Sequence, residues 1–408
     1  GVNVIQPPEQ YRTDIEKEDA VVMIHNTLGL GGNGKPLFMI VAPFAPHESL
    51  DTLFPPRYGS LFTSLSLFSQ SKPSFNEADM SDKSPIIQVL KKFTADQISD
   101  HASSSRDRLR AMTAVDDIVR DVINALQAEG QLNNTYILFT SDNGYFMGEH
   151  RLNSKISPYQ ESYNYPLFVR GPSVEIREVD LPIANIDMYA TFAHIGGGNI
   201  TSGKQIDGRS FLPLLTAPTI QADEWRKNIL IENATYKNQF GQIIPQEYAL
   251  LKTPTEAYIE WYNGDKEYYD LTADPYQLDN AYNSLSAAKK SQLAQDLAAL
   301  KTCGQDSDSE PCRPRLNITS PSNPTYAAGT TMPIRWTSKQ YNNEKLKIDL
   351  VRVGGGTTDP IATQETNDGQ YDWMIPVAYE GVTGQFQIRI SAQDDPTLNN
   401  LSSTFSFG

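Results

Sequence analysis

The sequence predicts an α/β domain, then a small antiparallel subdomain, then an all-β sandwich. Three observations carry this prediction. Two short apolar runs, residues 36–42 (PLFMIVA) and 136–140 (YILFT), are bounded by turn residues and read as strands buried on both faces. Between them, Leu109, Met112, Val115, Val119, Val122 and Leu126 recur at helical spacing over residues 105–129, and Gly130 stops the helix. From residue 316 onward, short alternating segments are separated by Gly, Pro, Asn and Asp, the texture of a β-sandwich.

Bulk properties set the class. With 408 residues the chain has room for two or three domains, and 39% hydrophobic residues with 20% charged describe a core-forming protein, not a disordered one. The net charge of −15 argues against nucleic-acid binding, which needs clustered Lys and Arg. It also gives no long-range pull on polyanions, so any basic pocket must act locally. No apolar run approaches the ~20 residues that span a bilayer. The chain starts Gly-Val-Asn-Val without a signal peptide or initiator Met, which reads as a processed or truncated start. Asn-x-Ser/Thr sequons stand at Asn133, Asn199, Asn233, Asn317 and Asn400. Together with a close pair of cysteines, Cys303 and Cys312, they favour a secreted, cell-surface or lumenal location. The pair is either a disulfide, which that location favours, or two reduced thiols.

Taken in order, residues 11–28 form a surface helix with Thr13 as candidate N-cap. GLGGNG at 29–34 lacks the strand-before, helix-after context of a phosphate loop and reads as a linker. The strand at 36–42 leads to His47 just past its carboxyl end. Residues 57–101 are polar, Ser-rich and weakly periodic, an excursion with little regular structure. The strand–helix–strand unit that follows would be a right-handed crossover with parallel strands. Its strands would share one carboxyl edge, so His47 and Asp142 would face the same rim, where open α/β sheets place ligands. After Ser141-Asp142-Asn143-Gly144 come His150-Arg151, Lys155, Tyr159-Gln160-Glu161-Ser162 and a second apolar strand at 166–170. Asn-Gly by itself would be a hairpin turn. Residues 228–231, 247–251, 257–261 and 267–271 alternate as a small antiparallel sheet, closed by an amphipathic helix over 285–300. An acidic stretch between the cysteines marks the last boundary.

The ordered strings SDNG, GEHRL, Lys155, YQES, the P-L strand and RGP resemble the sulfatase family, as do PLFMIVAPFAPHE, DGRSFLPLL and YYDLTADPYQLDN. Gln160 stands where the family usually has Glu, and Ser49 where it often has Pro. LNNTYILFTSDNGY is most similar to N-acetylglucosamine-6-sulfatases and fungal arylsulfatases. Residues 316–408 resemble the immunoglobulin-like domain of fungal cell-wall proteins linked to β-1,6-glucan synthesis, with Trp336 and Trp373 as core aromatics.

These resemblances imply a fold and a site. The fold is a partial alkaline-phosphatase-like sulfatase sandwich, with the sulfatase core at 1–215, its C-terminal subdomain at 216–301, a Cys-bracketed linker at 302–315 and an Ig-like sandwich at 316–408. Asp142 and Asn143 would ligand Ca²⁺ or Mg²⁺, since hard cations take carboxylate and amide oxygens. Lys155 would contact a sulfate oxygen, His47 would donate to the sulfate, and His150 would contact the substrate. The family's nucleophile is a formylglycine made in C/S-x-P/A-x-R. No such string occurs here, and Cys-Arg-Pro-Arg at 312–315 has the wrong spacing. The N-terminal acidic pair of metal ligands and the Lys-x-His are also missing, and two ligands fall short of the ~6–8 oxygens of Ca²⁺. Two readings follow. One is the C-terminal portion of a secreted sulfatase acting on a sulfated small molecule or glycan, partnered by an N-terminal portion that carries the formylglycine. The other is a non-catalytic, sulfatase-like matrix or surface protein. A phosphatase or phosphonate hydrolase ranks third, because GEHRL with the lysine and YQES is the sulfatase version of this region.

Overall fold

The computed structural model describes residues 10–29, 32, 35–47, 53–197, 207–216, 225–234, 236–237, 243–244, 247–301, 315–339, 345–354, 358–393 and 399–408. The chain divides into two units, residues 1–174 with 273–280, and 175–272 with 281–408.

In the first unit, α1 (Arg12–Leu28) packs on α2 (Ala95–Ala128). Val21, Ile24 and Leu28 from α1 meet Val122, Ala125 and Leu126 from α2, in one cluster with Leu37, Met39 and Ile137. Thr13 is not the N-cap: Tyr11 holds that position, and Thr13 is buried inside the first turn. α2 begins at Ala95, ten residues before the expected helix start at 105. Its start is a capping box, in which the Thr94 side chain accepts from Gln97 N and the Gln97 side chain accepts from Thr94 N. Part of the expected excursion is therefore helix.

β1 (Ile137–Thr140) pairs with β4 (Leu167–Arg170), antiparallel, with Thr140 opposite Leu167. A minor hairpin, β2 (Phe146–Met147) with β3 (Asn153–Ser154), lies between them in sequence. The strand expected at 36–42 is absent: residues 35–44 run extended but pair with no strand among the described residues. Leu37 and Met39 pack into the cluster with Ile137, while Phe38 and Ile40 are 65% and 71% exposed. The alternation is that of a strand, but no described strand lies hydrogen-bonded beside it. The expected parallel pair with β1 does not form.

In the second unit, β5 (Ile229–Asn233), β6 (Tyr248–Lys252), β7 (Glu256–Trp261) and β8 (Lys266–Asp270) form the expected antiparallel sheet in the order β8-β7-β6-β5. α3 (Ala287–Lys301) covers it with Leu293, Leu297 and Leu300, against Ala249, Leu251 and Tyr258. Farther on, β9 (Arg315–Ser320), β10 (Thr331–Lys339) and β11 (Gln370–Met374) form one sheet. Thr358–Thr366, Lys345–Arg352, Phe386–Ala392 and Asn399–Leu401 form another in that order. Their inner faces share one core, with Trp336 and Trp373 inside it at 3% and 8% exposure. No helix among the described residues is long and apolar enough to cross a membrane.

Candidate functional site

The site grows from the end of β1. Thr140 Oγ1 donates to Pro166 O at 2.9 Å and ties the end of β1 to the start of β4. Ser141 Oγ then donates to Asn143 O at 2.8 Å and closes the turn. Asp142 is left exposed and Asn143 half-buried. Gly144 N donates to Ser162 O at 2.8 Å, and a Cβ at Gly144 would lie 2.0 Å from Glu161 O. Only glycine permits that approach. Ser162 also turns its Oγ to accept from Ile156 N at 3.0 Å. Three separate strings, SDNG, Lys155-Ile156 and QES, thus meet around one serine.

This meeting brings Lys155 Nζ to 3.3 Å from Asn143 Oδ1. The backbone on both sides of the lysine is strained: Ser154 has φ 81° and Ile156 φ 91°. A β-branched residue at positive φ is rare and persists only where the surroundings over-determine it, a pattern typical of functional sites.

Behind the turn lies a buried knot of charge. His150 is fully buried, with Nδ1 2.6 Å from Glu77 Oε2 and its ring stacked on Tyr159 at 4.3 Å. Lys83 Nζ stands 3.2 Å from Glu77 Oε1 and donates to Gln277 O and Leu278 O. Lys72 Nζ joins Glu149 at 2.7 Å and Glu161 at 3.3 Å. Burial holds the His150 imidazole down at about 4, against the opposing pull of Glu161. Burial likewise pushes the Glu77 carboxyl up to about 7, against Lys83. Both shifts favour the uncharged form of each partner, as burial does for any ionisable group. Gln160 Nε2 donates to Pro275 O at 2.7 Å, a bond that the family's Glu could not donate.

His47 follows a turn in which His47 N donates to Phe44 O at 2.9 Å, and its ring packs on Phe44 at 5.0 Å. Between this turn and the SDNG segment stands Arg108 of α2. Its Nη1 donates to Pro46 O at 3.4 Å, and its guanidinium carbon lies 4.1 Å from the centre of the Tyr145 ring. Sequence reasoning passed over Arg108, and also Lys72, Glu77 and Lys83 in the weakly periodic stretch. The only signal at Arg108 was its place beside the apolar stripe of α2.

For a hard cation, Asp142 offers an exposed carboxylate and Asn143 an amide oxygen that Lys155 already engages. Among the described residues, no group of three or more His, Cys, Asp or Glu side chains is placed to hold a metal. The donors fit part of an oxygen shell. Cys303, Cys312 and Asn199 lie outside the described residues. Of the other sequons, Asn133 and Asn317 are exposed, while Asn233 and Asn400 are half-buried in strands, and Asn400 Oδ1 accepts from Ile318 N at 3.3 Å.

Comparison with known proteins bears on the family and the fold. A sulfatase family model matches residues 3–198, and a model described as N-sulphoglucosamine sulphohydrolase, C-terminal, matches residues 148–302. A Kre9/KNH-like N-terminal Ig-like domain model matches residues 319–407. An arylsulfatase of Volvox carteri is 27% identical over 353 residues, covering 74% of this chain and 53% of the relative. An N-acetylglucosamine-6-sulfatase of Capra hircus is 29% identical over 324 residues, covering 72% of this chain and 57% of the relative. The chain thus spans about half the length of the curated relatives it matches. A solved structure described as a complex with its substrate D-glucosamine-2-N,6-O-disulfate superposes with a TM-score of 0.56 at 22% identity, over 73% of this chain and 71% of that one. That likeness shows the fold. Residues 3–302 of this chain belong to the sulfatase family, and residues 319–407 to the Kre9/KNH-like Ig-like domains.

Proposed function

We propose that this chain is the C-terminal portion of a secreted sulfatase that hydrolyses sulfate monoesters of carbohydrates or aryl alcohols. The nucleophile, a formylglycine, comes from an N-terminal portion outside these 408 residues. The observation that carries the reading is the contact between Lys155 Nζ and Asn143 Oδ1, 3.3 Å, on a backbone strained on both sides of the lysine.

The roles follow from the chemistry. Ca²⁺ or Mg²⁺, held in part by Asp142 and Asn143, would supply positive charge to polarise the sulfate. Lys155 places an ammonium beside that position and neutralises a sulfate oxygen. His47, exposed on its turn, donates to the same group. His150 is fully buried, so it acts by holding Glu77 and the knot under the turn rather than by direct contact with a bulky substrate. The exposed Phe38, Ile40 and Phe168 support a partner: the N-terminal portion would cover them and add a strand beside residues 35–44. A secreted protein would carry glycans at Asn133 and Asn317, the exposed sequons.

The test is hydrolysis of a chromogenic aryl sulfate and of N-acetylglucosamine-6-sulfate by the full-length protein and by the 408-residue chain. Full-length protein should be active, the chain alone inactive, and Lys155→Ala should lower kcat/KM by about 10²-fold or more. No hydrolysis by the full-length protein would favour the second reading, a sulfatase-like matrix or surface protein. The absence of C-x-P-x-R from this chain is the observation on that side.

A further inference from the structure

We propose that Arg108 is a positioning residue that fixes the His47 turn against the Asp142–Asn143 turn. The catalytic meaning of this clamp rests on the sulfatase reading, but its existence does not.

The two segments are far apart in sequence, and β1 offers no ladder to the extended residues 35–44 that would set their spacing. Arg108 reaches both. Its Nη1 donates to Pro46 O, the carbonyl immediately before His47, at a long 3.4 Å. Its guanidinium carbon stands 4.1 Å from the centre of the Tyr145 ring, two residues after Asn143. A planar guanidinium presents a face to a ring and an edge to a carbonyl at the same time. An ammonium is a point charge and serves one partner or the other. The base of the clamp is stiff, because Arg108 sits well inside the 34-residue α2, whose C-terminal half is packed against α1. Both ends are stiff too. Ser141 Oγ closes the turn before Tyr145 by bonding Asn143 O, and His47 N and ring are both held by Phe44. A plain surface arginine would cover its own helix. This one lands on the two segments that carry the site.

The test is a coupling measurement on the 408-residue chain with isotope-labelled histidine. The His47 ring signal is assigned by its loss in His47→Gln. Tyr145→Leu should move that signal, and Tyr145→Phe, which keeps the ring face, should leave it in place. In an Arg108→Ala or Arg108→Lys background, Tyr145→Leu should move it no further; the lysine variant keeps the charge if the alanine variant does not fold. A Tyr145→Leu shift of equal size in those backgrounds, or none in the wild-type background, overturns the clamp. In the full-length protein, Arg108→Lys should lower kcat on the aryl sulfate by about 10- to 100-fold with KM within about twofold, because misplacement by about 1 Å costs on that scale. An unchanged kcat in an active protein overturns the positioning role. Coupling in a protein that hydrolyses no sulfate ester supports the clamp and sinks the sulfatase reading.

Discussion

The C-terminal sandwich and the β1 region of the first unit carry similar apolar patterns to different ends. In the sandwich, Ile334, Leu346, Ile348, Ile375, Ile388, Ile390 and Phe405 are all fully buried, packed between two sheets. In the first unit, the extended residues 35–44 bury Leu37 and Met39 but leave Phe38 and Ile40 in water, and β4 leaves Phe168 64% exposed. One region closes over its own core. The other presents half of a contact. The difference shows that an apolar stretch such as PLFMIVA need not be buried on both faces.

Four measurements sharpen or break that contrast. The largest effect belongs to the closed core: Ile348→Ala should cost about 2–5 kcal/mol in equilibrium denaturation followed by tryptophan fluorescence. Gly144→Ala should follow at about 2–3 kcal/mol, because the new methyl would lie 2.0 Å from Glu161 O. The same change should loosen Lys155 from Asn143, visible as a mobile lysine side chain by NMR.

The third concerns the Glu77–His150 pair and its pH dependence. The His150 imidazole is held at about 4 and the Glu77 carboxyl at about 7. Between about pH 4.5 and 6.5, the unfolded pair carries its one proton on the histidine and the folded pair carries it on the glutamate, so stability should be flat with respect to this pair. Single variants should uncover opposite slopes. In Glu77→Gln, the remaining histidine has a depressed folded value, so stability should fall as pH drops from about 6.5 to 4. In His150→Gln, the remaining glutamate has a raised folded value, so stability should fall as pH rises from about 4.5 to 7. Each slope should amount to on the order of 1–3 kcal/mol over its window. Parallel slopes in the two variants would show that the pair does not exchange its proton in this way.

The smallest effect belongs to the open face. Phe38→Ser and Ile40→Ser should change stability by no more than about 0.5 kcal/mol while lowering the binding of a hydrophobic dye. A loss of 2 kcal/mol or more would mean that the face is covered, and the contrast with the sandwich would fail.

The parts of the fold that could be read in advance are those with local causes. The small sheet of the second unit and the sandwich strands announce themselves by alternation and turn residues, and Trp336 and Trp373 fell inside as expected. In the site, SDNG, Lys155 and QES were readable as strings because a short loop brings them together. The knot beneath was not. Lys83 and Glu77 reach carbonyls and a histidine more than seventy residues away from a weakly periodic stretch, and no pattern in one sequence encodes such pairs. The start of α2 was missed because capping at Thr94 precedes Leu109, the first residue of the apolar repeat, by fifteen residues. The parallel pair was expected from a crossover rule that presupposes two strands in one sheet, and residues 35–44 join no ladder among the described residues.

The backbone around Lys155 has a consequence for anyone who engineers this protein. Ile156 holds a conformation that glycine or asparagine would adopt more comfortably, so a screen for thermal tolerance would be drawn to that position. The same substitution would let the neighbouring ammonium wander. One isoleucine thus sets backbone comfort against the fixed position of its neighbour.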